Sequence, residues 1–358
     1  MRSSLSLAIP VLSALLLPHG AAGQCATGTY DAATDYFPTK LSSEFSTGWD
    51  VTYFNNYKVI EGSAIGKIVA YQCGTPIPTV DGATLTVSIP LTTVTVLSTT
   101  YIPFFEIIGQ RAAIKGASNT AAVSSPCLRE AIAAGTVGEI SSVNYAPSIA
   151  DIDAAGGDAT FAGTYDVSSL AGAIAGAAIP MAENAEATGI GGAEWLEYVS
   201  LFFNEEAAAS AHIGEVVDRI AATEQAVTDT LPTGPRKKVI WAYDYFGSIY
   251  SGTCPNYYCE AIEKAGGEIM DLTAIGDPAA WGAITNTTLF YETVAEADIW
   301  LYPSNNWEES AVLAAAPVRS CSYFRRYLLR CCFPPLPLRE KTPLSATLRL
   351  DRRISAPS

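Results

Sequence analysis

Apolar residues recur at steps of three and four along residues 192–232, the pattern typical of one face of an α-helix. Asn204 interrupts this pattern, and asparagine followed by acidic residues is favourable at the start of a helix. We therefore predict a short helix that ends near Phe203 and a long helix from Glu205 to about Asp229. At 1.5 Å per residue, the long helix would extend for about 37 Å. It is either a rigid connector between two lobes or an ordinary long helix of one core.

Shorter apolar segments lie on both sides of these helices. Runs rich in β-branched residues alternate there with runs of helical period, an order typical of βα units. The pattern predicts the α/β class, with two lobes of mainly parallel sheets joined by one long α-helix. The predicted strands are residues 66–72, 84–90, 92–98, 112–118, 158–161, 237–245, 268–272 and 298–304, with two more around a turn at 55–56.

The composition changes at several points along the chain. Residues 1–23 contain one early arginine, a short apolar run and a small-residue end, which together predict a secretory signal peptide. The protein is therefore expected to be secreted or otherwise extracytoplasmic, in the periplasm, at a cell surface or in an endomembrane lumen. We also expect it to be a monomer. The other predicted parts are an N-terminal α/β lobe (24–192), connector helices (193–232), an incomplete C-terminal α/β lobe (236–316) and an atypical basic tail expected to be disordered (317–358).

Charge is distributed unevenly between the body and this tail. Nine of the 21 Lys and Arg lie at or beyond Arg319, but only two of the 36 Asp and Glu do. Residues 1–318 thus carry 12 basic groups against 34 acidic ones. A surface this acidic repels nucleic acids and anionic membranes, so neither is an expected partner.

Histidine is scarce, which limits the chemistry that the chain can perform. Apart from His19 in the predicted signal peptide, only His212 is present, in the middle of the predicted long helix. Multi-histidine zinc sites are excluded, and the sequence contains no nucleophile elbow, no GxxxxGK[ST] phosphate loop and no strand-linked GxGxxG. We therefore expect a protein that is not an enzyme and has no covalently bound cofactor, although the sequence leaves a catalytic pair of carboxylates open.

The predicted secretion would allow two covalent modifications, disulfide formation and, in a eukaryotic secretory pathway, N-glycosylation. Cys254 and Cys259 lie close together in one loop and form the best candidate disulfide, with Cys25 and Cys73 as a second pair. Asn286 begins an Asn-Thr-Thr acceptor sequence for N-glycosylation.

Several segments together resemble a known class of protein: TVTVLSTTYIPFFEIIGQRAAIKGASN, VGEISSVNYAPSIADIDAAGGDATF, EWLEYVSLFFNEEAAASAH, and KKVIWAYDYFGSIYSG with CEAIEKAGGEIMDL. Their order is similar to that of the substrate-binding proteins of ABC importers, in the class that carries iron–siderophore complexes and cobalamin. The similarity covers roughly residues 92–305. It implies two lobes joined by one rigid helix, with the ligand held in the cleft between them. It also implies docking on a permease through one acidic residue per lobe; Glu260 matches the second, whereas Pro103 stands near the position of the first.

Ligands of open α/β sheets bind beyond the carboxyl ends of the strands. Applied to the predicted strands, this rule selects polar and aromatic residues in both lobes. Aromatic walls with a few polar groups suit a bulky, partly apolar ligand. The predicted ligand-binding residues are Thr99, Thr100, Tyr101, Asn119, Ser124, Ser125, Arg129, Asn144 and Tyr145 in the first lobe, and Tyr243, Asp244, Tyr245, Phe246, Trp281, Asn305 and Trp307 in the second.

The scarcity of arginine limits the negative charge that the ligand can carry. Between residues 25 and 318 there are only four arginines, and only Arg129 is near a predicted ligand-binding loop. A triply anionic ferric catecholate would require several arginines, so an uncharged ferric hydroxamate-type chelate is the favoured ligand. The partner that the resemblance implies is a membrane transporter or receptor. The alternatives are direct Fe³⁺ binding by tyrosine phenolates and Asp244, and a secreted enzyme or structural protein on the same fold.

Overall fold

A computed structural model describes residues 24–231, 233–245, 247–276 and 282–303, together with the backbone of residues 329–331. The chain forms two compact units. Unit 1 contains the described residues up to Gly234 together with Cys254–Gly266, and unit 2 contains Pro235–Thr253 and the described residues from Gly267 onward. The predicted signal peptide and most of the predicted tail lie outside the described residues, as do the predicted site residues Phe246, Trp281, Asn305 and Trp307.

Both units combine strands and helices. The strands of unit 1 are β1 (Asp50–Tyr53), β2 (Tyr57–Gly62), β3 (Gly66–Gln72), β4 (Leu85–Ile89), β5 (Val94–Val96), β6 (Ile114–Ser118), β7 (Gly138–Ile140), β8 (Ser142–Val143), β9 (Ala146–Pro147), β10 (Ala159–Gly163) and β11 (Ala177–Met181). Its helices are α1 (Ile102–Ile107), α2 (Pro126–Ala133), α3 (Ile149–Ala155), α4 (Thr164–Leu170), α5 (Gly189–Ser200), α6 (Glu206–Thr230) and α7 (Tyr257–Lys264). The elements of unit 2 are β12 (Lys237–Tyr245), β13 (Ser248–Ser251), β14 (Gly267–Ile269), α8 (Thr287–Thr293), β15 (Ile299–Leu301) and β16 (Leu329–Cys331).

The central sheet of unit 1 has five parallel strands in the order β11-β10-β5-β6-β7. Strands β6 and β7 are added in sequence on one side of β5, and β10 and β11 are then added on its other side. This is a doubly wound sheet, and its strand order reverses between β5 and β10. The α/β prediction is confirmed, and β10 pairs with β5 along Ala159–Phe161, so the loops that follow these two strands lie side by side.

A separate sheet of order β1-β2-β3-β4 is formed by the first part of unit 1. Its first three strands are antiparallel, and only β3 and β4 run parallel. The strands around residues 55–56 were predicted from sequence, but this sheet is not part of the parallel arrangement. Three residues connect β2 to β3 and also β1 to β2, which is too short for the crossover that a parallel pair requires.

In unit 2, β12 pairs in parallel with β14 and β15 and antiparallel with β13. The backbone of β16, within the predicted tail, pairs antiparallel with β15. The predicted strand 237–245 is confirmed at both ends by β12. A small core surrounds Ile240, Phe290 and Trp300, with the rings of Phe290 and Trp300 5.5 Å apart.

The predicted helix pair is confirmed as α5 and α6, and the chain enters unit 2 shortly after α6. The 25-residue α6 begins inside unit 1, where Ala209 and Ile213 are buried, whereas its C-terminal half is largely exposed. The first half of α6 is therefore part of the core, and its second half is largely exposed. Just before α6, the rings of Phe161 and Phe202 are 5.6 Å apart in an edge-to-face contact that fixes this region against the central sheet.

Unit 1 also buries several charged side chains. Lys58 is fully buried on β2, and its Nζ lies 2.5 Å from Glu206 Oε1, 2.7 Å from the Leu201 carbonyl oxygen and 2.9 Å from Asn204 Oδ1. Two glutamates of the α5 region hold the loop at residues 44–48. Glu194 accepts backbone N–H bonds from Glu44, Phe45 and Ser46, and Glu186 accepts them from Thr47 and Gly48 and accepts one more from Trp195 Nε1.

Two disulfides join Cys25 to Cys73 and Cys254 to Cys259, the two pairs considered from the sequence. Cys127 is an exposed free thiol. Within the part of the chain that the structure describes, no helix has both the length and the apolar character needed to cross a membrane.

Candidate functional site at the carboxyl edge of the central sheet

The reversal of strand order places two loops together at the carboxyl edge of the central sheet. Residues 97–101 form the loop after β5, and residues 163–166 form the turn from β10 into α4, which consists of the last residue of the strand and the first three residues of the helix. Ligands of doubly wound sheets bind in the crevice outside such a reversal. This crevice is therefore the position in unit 1 where the fold itself favours a ligand.

Hydroxyl and carboxylate groups line the first of these loops. Thr100 Oγ1 lies 2.8 Å from Ser98 Oγ and donates to Glu183 Oε1 at 3.2 Å. Glu183 follows β11, so its carboxylate reaches the same edge from a third strand. Burial raises the pKa of Glu183, and its Oε2 is buried without a hydrogen-bond partner among the described residues.

A second carboxylate approaches from the other loop. A Cβ atom placed on Gly163 would lie 3.8 Å from Tyr101 Oη and 3.9 Å from Asp166 Oδ2, so both groups border this glycine. Burial raises the pKa of Asp166, and burial together with the charges of Glu183 and Asp166 raises the pKa of Tyr101. The crevice is thus electronegative, because two carboxylates and a protonated phenol converge there.

Exposed aromatic rings stand at the same edge. Tyr145 is 88% exposed at the tip of the β8–β9 hairpin, which follows β7, and Tyr165 is 86% exposed at the start of α4. Asn144 and Tyr145 both have positive φ, 51° and 66°, as a two-residue type I′ hairpin turn requires. Asparagine tolerates this conformation, but for tyrosine it is strained.

We expect the substitution Tyr145→Gly to leave unit 1 as stable or to stabilise it by about 0.5–1 kcal/mol, because glycine adopts positive φ without strain. Thermal unfolding of the full chain would measure this. Ala146→Gly, at the next position in β9, is the matched control and should be destabilising by about 0.5–1 kcal/mol. A clear loss of stability in Tyr145→Gly would show that the ring is needed for folding and would contradict a role in binding alone.

The other predicted residues of unit 1 follow β5 or β6 or lie in α2, and their surroundings differ. Asn119 is exposed directly after β6, whereas Tyr101 is buried. Ser125 caps α2 by accepting from the Leu128 N–H and donates to Glu106 Oε1 at 2.6 Å. Thr99 is half-buried beside Thr100, and Ser124 and Arg129 are exposed before and within α2.

In unit 2, the predicted residues Tyr243, Asp244 and Tyr245 lie in β12. Alternation along the strand puts Asp244 on the face opposite the two tyrosines. Asp244 is buried and its Oδ1 accepts the Gly247 N–H at 2.8 Å, while both tyrosine rings pack near Tyr250, at 6.1 and 6.0 Å. The strand therefore does not bring the Asp244 carboxylate and these phenols together as one set of ligands.

Glu260, predicted to dock on a permease, has partners within unit 1. Its Oε2 accepts the Gly189 N–H at 2.8 Å, and its Oε1 lies 2.8 Å from Lys264 Nζ. Burial by itself would raise the pKa of Glu260, but the hydrogen bonds with Lys264 and Gly189 lower it below its usual value. Glu260 is therefore ionised at neutral pH. Its docking role stays a prediction.

Asn286, the predicted glycosylation site, is exposed and caps α8 by accepting the Leu289 N–H through Oδ1. The bond uses only the amide oxygen. Glycosylation at the amide nitrogen stays a prediction.

Three residues of the carboxyl edge were missed from sequence: Tyr165, Asp166 and Glu183. The rule that selected Thr100 would have found them if β10 had been predicted to reach Gly163 and if β11 had been recognised. The apolar run 177–181 that forms β11 carries the signal, but it is absent from the strands predicted above.

Neither a protein-family profile nor a curated protein sequence matches this chain. Among solved structures, the fold is similar to a periplasmic binding protein from Veillonella parvula DSM 2008, with 12% sequence identity, a TM-score of 0.47, and coverage of 65% of this chain and 72% of that chain. It is similar to the siderophore-binding protein BauB bound to ferric iron and acinetobactin (16% identity, TM-score 0.45, 64% and 80% covered). It is also similar to the haem-binding protein HmuT (12% identity, TM-score 0.46, 71% and 82% covered).

Proposed function

We propose that the protein is an extracytoplasmic solute-binding protein that captures an uncharged or cationic metal chelate, such as a ferric hydroxamate, at the carboxyl edge of the central sheet. The chelate would then be delivered to a membrane transporter or receptor for uptake. The observation that carries this proposal is the chemistry of the edge around the β5–β10 reversal.

Five loops lie at this edge, and none of them contains a lysine or an arginine. They are residues 97–101, 119–125, 141–148, 163–166 and 182–188. They present hydroxyls, the carboxylates of Asp166 and Glu183, and the exposed rings of Tyr145 and Tyr165. Anionic chelates would be repelled by the carboxylates. A bulky chelate with an apolar surface and no negative charge matches both the rings and the hydrogen-bonding groups.

Tryptophan fluorescence titration of the full chain with ferrichrome, an uncharged trishydroxamate, tests this proposal. We expect saturable quenching at micromolar concentration and much weaker binding of a ferric tris-catecholate, which carries three negative charges. No quenching by any ferric chelate would contradict the proposal. Tighter binding of the catecholate would contradict the charge argument on which it rests.

The substitution Thr100→Val tests the location of the site. It keeps the shape of the side chain but removes the hydroxyl that joins Ser98 to Glu183, so we expect about a fivefold loss of ferrichrome affinity, the value of one hydrogen bond of about 1 kcal/mol. Thr136→Val is the matched control, because Thr136 is exposed, donates one hydrogen bond to the Ala131 carbonyl oxygen and precedes β7 at the opposite edge. Equal effects of the two substitutions would place the ligand elsewhere.

A further inference from the structure

A cavity of about 370 Å³ lies within unit 1, away from the carboxyl edge, between the N-terminal segment 40–45 and helices α5 and α6. None of its lining residues belongs to the five loops at the carboxyl edge. Its polar lining includes Lys40, Glu44, Glu194, Glu197, Ser210 and Asp218.

The charge of this cavity is negative. Four of these groups are carboxylates, and the one ammonium group is already engaged. Lys40 Nζ lies 2.6 Å from Asp35 Oδ2 and donates to the Phe37 carbonyl oxygen at 2.9 Å. Among the residues that the structure describes, none of these four carboxylates forms an ion pair with a lysine or arginine.

Glu194 and Glu197 differ in the number of hydrogen bonds that their carboxyl groups accept. Glu194 accepts three backbone N–H bonds from the loop at 44–46. Glu197, one helical turn further on, is only 4% exposed, and within the described part of the chain its carboxyl group is paired with the Ser210 hydroxyl alone. A carboxylate offers about four acceptor positions, and a buried one without a cation or N–H donors is costly to ionise.

The surroundings of Glu197 make its charge responsive near neutral pH. Burial and the neighbouring charge of Glu194 raise the pKa of Glu197 to about 7, and Glu44 adds to this. Lys40 and Glu44 face it from the N-terminal segment, Ser210 and Asp218 from α6, and the Tyr53 phenol from β1. A cationic guest would therefore bind the ionised form and exchange with a proton.

The cavity fits an organic cation better than a metal ion. Among the described residues, no three His, Cys, Asp or Glu side chains are placed to hold a metal. Leu41, Ile213 and Val217 add apolar surface for an alkyl chain. We propose that this cavity is a binding site for a small alkylammonium cation, whose ammonium group donates to the Glu197 carboxylate.

Isothermal titration of the full chain with n-butylammonium tests this site. Binding of one cation per chain is expected, about tenfold tighter at pH 8 than at pH 6, because the ionised fraction of a carboxyl group with a pKa of about 7 rises from about one tenth to about nine tenths. Neutral n-butanol should bind far more weakly. Equal binding of the two probes, or no binding of the cation at pH 8, would overturn the proposal.

Two substitutions test the assigned atoms. Glu197→Gln keeps the shape of the side chain and should abolish both the binding and its pH dependence. Gly214→Leu should fill the cavity without opposing the fold, since a Cβ atom on Gly214 meets no atom within 4 Å and leucine favours the interior of a helix. Ala221→Leu, on an exposed face of the same helix, is the control and should bind as the unmodified protein does. Unchanged binding in either of the first two variants would overturn the proposal, whereas ferrichrome binding should be the same in all of them.

Discussion

The substitution Glu194→Gln is expected to lower the free energy of unfolding of unit 1 by about 3 kcal/mol. Glu194 is 1% exposed and accepts backbone N–H bonds from Glu44, Phe45 and Ser46 at 2.8, 2.8 and 2.5 Å. Glutamine keeps the volume, but its amide group carries no charge and its NH₂ would face a backbone donor. At least one buried N–H would lose its partner, and the remaining bonds would lose the assistance of the charge.

Urea unfolding of the full chain, followed by circular dichroism, would measure this effect. The control is Glu215→Gln on the exposed face of α6, which should change stability by less than about 0.5 kcal/mol. If both substitutions have the same small effect, the buried carboxylate does not hold the loop at 44–48.

The second large effect is expected from Lys58→Met, which should cost about 3–5 kcal/mol. Methionine fills a similar volume but leaves the Glu206 carboxylate buried without its counterion, and leaves the Leu201 carbonyl oxygen without a donor. Burial lowers the pKa of Lys58 to about 8, against the opposing effect of Glu206, which reflects the cost of keeping this ammonium away from water.

Adding Glu206→Gln to Lys58→Met should recover part of the loss, because it removes the uncompensated charge. A double-mutant cycle would then give a coupling energy of about 1.5 kcal/mol or more. Additive effects of the two substitutions would mean that the pair does not act as a unit at the junction of α5 and α6.

The long helix and most strands of the fold were predictable because their signals are local. The apolar period of α6 and the β-branched run of β5 each specify one element without reference to its neighbours. Strand β7 has only three residues, and α4 begins with Thr-Tyr-Asp, so neither has a pattern strong enough to identify alone. They form because the central sheet supplies a pairing edge for β7 and a buried surface for Leu170.

Buried charges were the least predictable part. Glu194 and Glu197 lie in EWLEYVS, where an alternation of charge with apolar residues suggests an exposed helix face. Glu194 is buried only because a loop about 150 residues earlier in the chain supplies three N–H donors. Such long-range satisfaction has no sequence signature, and the same holds for Lys58 and Glu206.

The candidate site was predictable in part for a related reason. The rule that ligands bind beyond the carboxyl ends of parallel strands selected Thr100 and Tyr145, and the structure places both residues after strands of this sheet. This rule could not show which of the selected residues lie nearest the crevice. The position of the crevice depends on the strand order, and the reversal between β5 and β10 is set by pairing across the sheet. That reversal is what brings Asp166 to the same crevice.

Hydrogen exchange of the full chain, measured by mass spectrometry with and without saturating ferrichrome, tests the central claim most directly. If the chelate binds at the β5–β10 reversal, peptides that cover residues 97–101 and 163–166 should exchange more slowly in its presence. Peptides before β7 and β10, at the opposite edge, should not change. Protection confined to other parts of the chain, with residues 97–101 and 163–166 unaffected by bound ferrichrome, would contradict the account.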